Sequence, residues 1–180
     1  MRLSMYLGID LGTTGLKSVL LREDGAIAGI GYRDYPLDIP EPGYAQQDPD
    51  NWWDALHDAT AQAMRAASAK PDDVKGIGFS GQMHGLVPLD RRGKPLCPAI
   101  IWCDQRSAAQ SARVREQIGP ESLGRWVQNP ISAGFQASSL LWLRDERPEL
   151  YGHIRTALLP KDYLRYRLTG ELGTEPTDAC

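Results

Sequence analysis

Three short clusters combine residue types that can do chemistry with a spacing that one turn or one strand end can hold together. The first is Asp10-Leu11-Gly12-Thr13-Thr14-Gly15-Leu16-Lys17, a carboxylate followed by two glycines that bracket two hydroxyls. Glycines let a backbone come close to an anion, and amide N–H groups and hydroxyls can then be aimed at phosphate oxygens. Asp10 can hold a magnesium ion against those phosphates, directly or through water. A hairpin turn carrying a surface aspartate accounts for the same residues, because Gly-Thr turns are common. The second cluster is Gly81-Gln82-Met83-His84-Gly85. Directly after a strand it puts an amide and an imidazole at a sheet edge, where paired donors and acceptors can bind sugar hydroxyls. A lone histidine is otherwise most simply structural. The third is Ile100-Ile101-Trp102-Cys103-Asp104-Gln105-Arg106, in which Asp104 can cap a helix beginning at Gln105 and Arg106 can be a solvated first-turn residue.

One further pattern misleads. Gly76-Ile77-Gly78-Phe79-Ser80-Gly81 satisfies G-x-G-x-x-G, and Asp104 lies 23 residues beyond Gly81. The dinucleotide fingerprint requires a helix straight after the glycines. Residues 82–90 contain Gly85 and Pro88 and no apolar face of helical period, so a helix is not expected there. The sequence has no G-x-x-x-x-G-K-[ST], which removes the P-loop class.

The elements that must position these clusters can be read from periodicity and turn chemistry. Residues 6–10 and 16–21 are apolar runs on either side of the Gly-Thr turn, and Asp24-Gly25 gives a two-residue hairpin signal before a third strand over 26–35. The first 35 residues therefore form an antiparallel meander. Residues 36–47, with three prolines and a glycine, read as irregular. Asp48-Pro49 then opens a helix on which Trp52, Leu56, Ala59, Ala63 and Ala67 recur at helical spacing, closed by Pro71. A buried strand is expected over 74–80, and a hairpin over 86–89 and 95–103 around Asp90-Arg91-Arg92-Gly93, with Pro88, Pro95 and Pro98 limiting the pairing to edges. Helices follow over 105–118, 136–146 and 161–169, the last stopped by Gly170, with a strand over 156–159 between the second and third. This is an α/β pattern without uniform βαβ alternation, and a mixed sheet flanked by helices is the expected architecture.

Composition narrows the function classes. With 180 residues, 42% of them hydrophobic, one domain-sized core is the expectation. The 20 basic and 23 acidic residues give a net charge of −3 with no Lys/Arg block, so neither nucleic acid nor an anionic membrane is an expected partner. Cys97, Cys103 and Cys180 suit neither a disulfide framework nor a metal site, and read as reduced thiols. No signal-peptide pattern or spanning apolar run is present, so a soluble cytoplasmic protein is expected. The polar stretch 171–180 ends on Thr177-Asp178-Ala179-Cys180 with no element to finish it, which suggests a fragment.

Taken in order, these segments resemble the FGGY family of carbohydrate kinases. Asp10, Gly12, Thr13 and Thr14 match the D-x-G-[TS]-[TS] of the first strand in the superfamily of sugar kinases, hexokinases, heat-shock ATPases and actin. Gln82-Met83-His84-Gly85, and Trp52-Trp53 after Gln47-Asp48-Pro49, look like the xylulokinase members. Trp102-x-Asp104-x-Arg106 is similar to a W-x-D-x-R segment at the family's sugar site. Leu159-Pro160-Lys161-Asp162-Tyr163-Leu164-Arg165-Tyr166-Arg167-Leu168-Thr169-Gly170-Glu171 resembles a family marker near the end of the first domain, read here as a helix without a catalytic role.

The resemblance implies an actin-like, ribonuclease H-like α/β domain that binds sugar, with residues 1–180 forming this N-terminal part. The nucleotide-binding domain, and the general-base aspartate of its G-G-x-D-N segment, would lie outside the chain. The implied reaction is transfer of the ATP γ-phosphoryl group to a terminal hydroxyl of D-xylulose, with Mg2+. The alternatives are ribulose, gluconate or glycerol as substrate, or a non-catalytic sugar-binding fragment. In the implied site Asp10 positions the metal, and Gly12, Thr13, Thr14 and Lys17 meet the phosphates. Gln82, Met83, His84, Trp102, Asp104 and Arg106 line the sugar. A homodimer is left open, and the chain alone is expected to fold without turning over substrate.

Overall fold

The computed structural model describes residues 4–178, so Cys180 lies outside the described part. In chain order the strands are β1 (Met5–Leu11), β2 (Gly15–Arg22), β3 (Ile27–Asp34), β4 (Gln46–Gln47), β5 (Val74–Gly81), β6 (Val87–Leu89), β7 (Ala99–Ile100) and β8 (Thr156–Leu158). The helices are α1 (Pro49–Ala67), α2 (Ala108–Ile118), α3 (Pro120–Trp126), α4 (Gln136–Glu146), α5 (Pro148–Tyr151) and α6 (Pro160–Thr169). They gather into two compact units, one built from residues up to Pro36 with Asp50–Gln82, the other from Leu37–Pro49 with the residues from Met83 onward.

The first unit is a four-stranded sheet in the order β3-β2-β1-β5, antiparallel through the meander and parallel between β1 and β5. Period-two alternation sets its faces. Met5, Leu7, Ile9 and Leu11 are buried, and their register with Leu20, Ser18 and Leu16 continues the same face across β2. Helix α1 contributes Trp52, Ala55, Leu56, Ala59 and Ala63 to this core, and Ser18 meets Thr60 across the two elements at 3.1 Å. A side chain at Gly31 would collide with the Ala59 carbonyl, and one at Gly29 with that of Ala63. These two glycines let the helix lie directly on β3. The opposite face carries Tyr6, Asp10, Lys17, Ile30 and Tyr32, all exposed.

Two local readings change. The loop after β2 holds three residues, Glu23 to Gly25, and is closed by the Arg22 N–H on the Ala26 carbonyl, with Gly25 at φ 83°. It is the three-residue hairpin with a left-handed glycine at its end, and not a two-residue turn. Strand β5 was expected to be buried, yet it pairs with β1 alone among the described residues and half-exposes its side chains. Gly76 and Gly78 give it nothing to bury.

The second unit is assembled from short pairs. β4 pairs with β7 and β6 with β8, both antiparallel. Leu86, Ile100, Trp142 and Leu143 form its core, with Tyr44, Leu140, Leu150, Ile154 and Ala157 packed around them. The hairpin expected around residues 90–93 survives only as the turn from Asp90 to Gly93 and isolated bridges, Leu89 to Pro95 and Leu86 to Ile100. Prolines at 88, 95 and 98 remove donors from that ladder, so β6 finds its partner in β8 instead. Helix α3 was not anticipated. Gly119-Pro120 both ends α2 and begins α3, because proline suits the first helical position. No helix among the described residues is long and apolar enough to cross a membrane.

Candidate functional site

In the first unit, Asp10 sits near the end of β1 with Lys17 opposite it on β2 and Ser80 opposite it on β5. All three are exposed. Gly8 and Gly78 beside them carry no side chain, which leaves a shallow cavity of about 330 Å³ lined by Asp10, Lys17 and Ser80. The turn that follows closes on itself: the Gly12 N–H donates to the Gly15 carbonyl at 3.0 Å, and the Tyr35 hydroxyl donates to the Gly12 carbonyl. The Gly12 amide is therefore spent within the turn, and Thr13 and Thr14 form its tip, with Thr14 exposed. Burial, then the charges of Tyr32 and Asp10, push the Tyr35 phenol far above its ordinary value, so it remains a donor. A carboxylate, an ammonium and hydroxyls around an open groove are the groups that a phosphate with a hard cation requires.

The glycines of the G-x-G-x-x-G pattern lie within β5, and no helix follows them. A dinucleotide turn is thereby excluded. Gln82, the last residue of the first unit, is buried and donates its N–H to the Leu11 carbonyl at 2.7 Å.

In the second unit the chain turns sharply at His84. Its φ is +67°, and the Gly85 N–H returns to the Met83 carbonyl at 2.8 Å. That is a γ-turn about a residue with a side chain, a costly conformation that must be held from outside. The hold comes from three directions. The imidazole stacks on Phe135 with ring centres 4.0 Å apart. The His84 N–H donates to Asp178 Oδ1 at 3.0 Å, and the imidazole Nδ1 lies 3.9 Å from the same oxygen. Lys161 Nζ in turn donates to Asp178 Oδ2 at 2.9 Å and lies 3.2 Å from Glu175. Burial draws the Lys161 ammonium down, but Asp178 and Asp162 outweigh it and leave the group above its ordinary value.

His84, Phe135, Asp162 and Asp178 line a cavity of about 450 Å³ whose wall also includes Asn129, Gln136 and Thr174. Asp162 is 5% exposed, and its Oδ2 has no hydrogen-bond partner among the described residues. A buried carboxylate oxygen in that state calls for an O–H or N–H donor.

Met83 and Trp102 are exposed, 45% and 48%, and do not line that cavity. Asp104 and Arg106 are occupied internally. Asp104 is fully buried and accepts from the Ala45 N–H at 2.6 Å, the Arg106 N–H at 2.8 Å and Arg106 Nε at 2.8 Å. The Arg106 guanidinium also donates to Gln46 at 3.0 Å and lies 4.1 Å from the Tyr44 ring centre. The pair clamps residues 44–46 to the chain around β7. Helix α2 starts at Ala108, with Ser107 as its cap position, and not at Gln105; the Asp104 bond to the Arg106 N–H closes a separate turn before it. Sequence reasoning missed Asp162 and Asp178. The signal for Asp162 was its place at the start of a Pro-initiated helix, and Asp178 lay in a tail that carried none.

Comparison with known proteins identifies the family. Residues 5–180 match the FGGY family of carbohydrate kinases, N-terminal domain. The chain is 40% identical over 179 residues to the xylulose kinase of Escherichia coli, covering 98% of this chain and 36% of that protein. It is 38% identical over 174 residues to the xylulose kinase of Bacillus subtilis, covering 97% and 35% respectively. The crystal structure of a xylulose kinase from Brucella ovis superposes with a TM-score of 0.88 at 37% identity, over 93% of this chain and 34% of that one. The chain thus spans about a third of the length of the curated relatives it matches.

Proposed function

Because the chain belongs to the FGGY family of carbohydrate kinases, with the α/β, actin-like fold of that family, we propose that it supplies the sugar-binding part of an ATP-dependent kinase acting on a ketopentose, D-xylulose before other sugars. The observation that carries this reading is the cavity beside His84. Its volume suits a small molecule, and His84, Asn129, Gln136, Asp162, Thr174 and Asp178 bring to its lining, among apolar side chains, the mixture of donors and acceptors that sugar hydroxyls require. Two carboxylates, Asp162 and Asp178, line the cavity, so a neutral ketopentose suits it better than an anion such as gluconate.

In this reading His84 binds sugar hydroxyls, while Asp104 and Arg106 hold residues 44–46 in place and do not touch the sugar. Asp10, Lys17, Thr13 and Thr14 receive the phosphates of ATP. Among the described residues no group of three His, Cys, Asp or Glu can hold a metal by itself. One carboxylate completed by phosphate oxygens and water is, however, the donor set that magnesium favours. Magnesium there would offset the charge that develops on the phosphoryl oxygens. The sugar hydroxyl oxygen forms the new P–O bond as the bond to ADP breaks, and its proton passes to a general base outside residues 1–180. Lys17 and the threonine hydroxyls orient the phosphates for that transfer. The reaction belongs in the cytoplasm and calls for no nucleic-acid or membrane partner.

Isothermal titration of the longest natural polypeptide containing residues 1–180 with D-xylulose, L-ribulose, gluconate and glycerol tests the substrate class. D-xylulose should bind most tightly and gluconate most weakly. Tightest binding of gluconate would overturn the assignment.

A further inference from the structure

We propose that Asp178 is a positioning residue of the sugar site: by accepting the His84 N–H it fixes the γ-turn that presents the imidazole to the cavity, while Lys161 holds its other oxygen in place. The inference rests on the sugar-site reading above and deepens it.

The geometry is specific. Asp178 is 3% exposed and uses its two oxygens on different partners, Oδ1 on the His84 N–H at 3.0 Å and Oδ2 on Lys161 Nζ at 2.9 Å. His84 is a side-chain-bearing residue at φ +67°. Without an external acceptor the extended backbone would be preferred, and the imidazole would leave the cavity. A charged acceptor makes the stronger hydrogen bond, and its burial is tolerable because Lys161 supplies the opposite charge from the first turn of α6. Glu175 completes the arrangement. It lies 3.2 Å from Lys161 and accepts the Asp178 N–H at 3.1 Å, which aims the Asp178 side chain. The segment leading to Asp178 is thereby tied to the helix beneath His84.

Two measurements test this. The first is the amide resonance of His84 and its hydrogen exchange in the chain. Asp178→Ala should abolish the protection of this amide, whereas Asp178→Asn, which keeps an acceptor oxygen, should retain most of it. The second is steady-state kinetics of the longest natural polypeptide that contains the chain, assayed with D-xylulose and ATP. Asp178→Ala should raise the sugar KM about tenfold or more with the ATP KM unchanged, and Asp178→Asn should recover most of that loss. In a His84→Ala background the Asp178→Ala change should add almost nothing, because the two act as one unit. Additive effects of the two changes would mean that Asp178 touches sugar itself, and an equal rise in both KM values would mean general damage. Either result overturns the proposal. An unprotected His84 amide in the unaltered chain would overturn the contact itself, independently of kinetics. Absence of any sugar-dependent turnover in the unaltered protein, with the amide protected, would instead overturn the kinase reading on which the positioning role depends.

Discussion

At the scale of single residues, Asp10, Asp178 and His84 differ in what each can reach. His84 lines the cavity, so His84→Ala should raise the sugar KM about 10- to 100-fold, as expected for loss of hydrogen bonds to substrate, while leaving the ATP KM in place. The same position also tests the backbone. Because φ is +67° there, His84→Gly should be more stable than His84→Ala by about 1 kcal/mol, read from denaturant midpoints at equal slope. Asp10 stands on the exposed sheet face in the first unit and is not among the residues that line the His84 cavity. Asp10→Asn should cut turnover about 100-fold and leave D-xylulose affinity, measured calorimetrically, nearly unaltered. Asp10, Lys17 and the Gly-Thr turn could be named from sequence because a carboxylate at a strand end and a glycine turn are local features. Asp178 could not, since its meaning comes from a contact 94 residues away in the chain.

At the scale of elements, the meander and α1 were legible because their apolar periodicity is strong, and α4 and α6 because proline or glycine marks their ends. Packing on β3 adds what periodicity does not show, namely that Gly31 is spaced by the helix and not by a turn. Gly31→Val should cost about 1–3 kcal/mol or more in unfolding free energy, because the added side chain meets the α1 backbone, which has little room to yield. The short pairs of the second unit were not legible. Two- and three-residue strands such as β4, β6 and β7 have too little length for a period, and their partners are set by proline positions and by long-range contacts. The segment ending at Asp178 has a pH signature of its own. Hydrogen bonds from the Thr177 hydroxyl and N–H, and the nearby Lys161, hold the Glu175 carboxyl down to about 2. A carboxyl lowered on folding stabilises the fold above its unfolded value of about 4.3, and that contribution is lost as pH falls towards its folded value. Exchange protection in residues 171–178 should therefore weaken between about pH 4 and pH 2, whereas the amides of β1 and β2, which have no such dependence on Glu175, should hold to lower pH.

At the scale of the whole molecule, the balanced charge without a Lys/Arg block pointed to a small-molecule ligand, and the order of the motifs pointed to the family that the comparisons then identified. Composition could not foresee that the described residues would divide into two units, with the phosphate-type groups Asp10, Lys17, Thr13 and Thr14 in one and the His84 cavity in the other. Such a division suits a reaction that brings two substrates together, since each can be bound by its own set of residues before phosphoryl transfer. The proposal that joins these observations is that the chain belongs to a kinase that transfers phosphate from ATP to a neutral ketopentose. The most direct measurement is a coupled ADP-release assay on the longest natural polypeptide containing residues 1–180, with mass spectrometry of the sugar product. ADP release should depend on D-xylulose, be accompanied by xylulose 5-phosphate, and exceed release with gluconate or glycerol. ADP release that is indifferent to sugar, or that gluconate supports better than D-xylulose, would contradict the proposal.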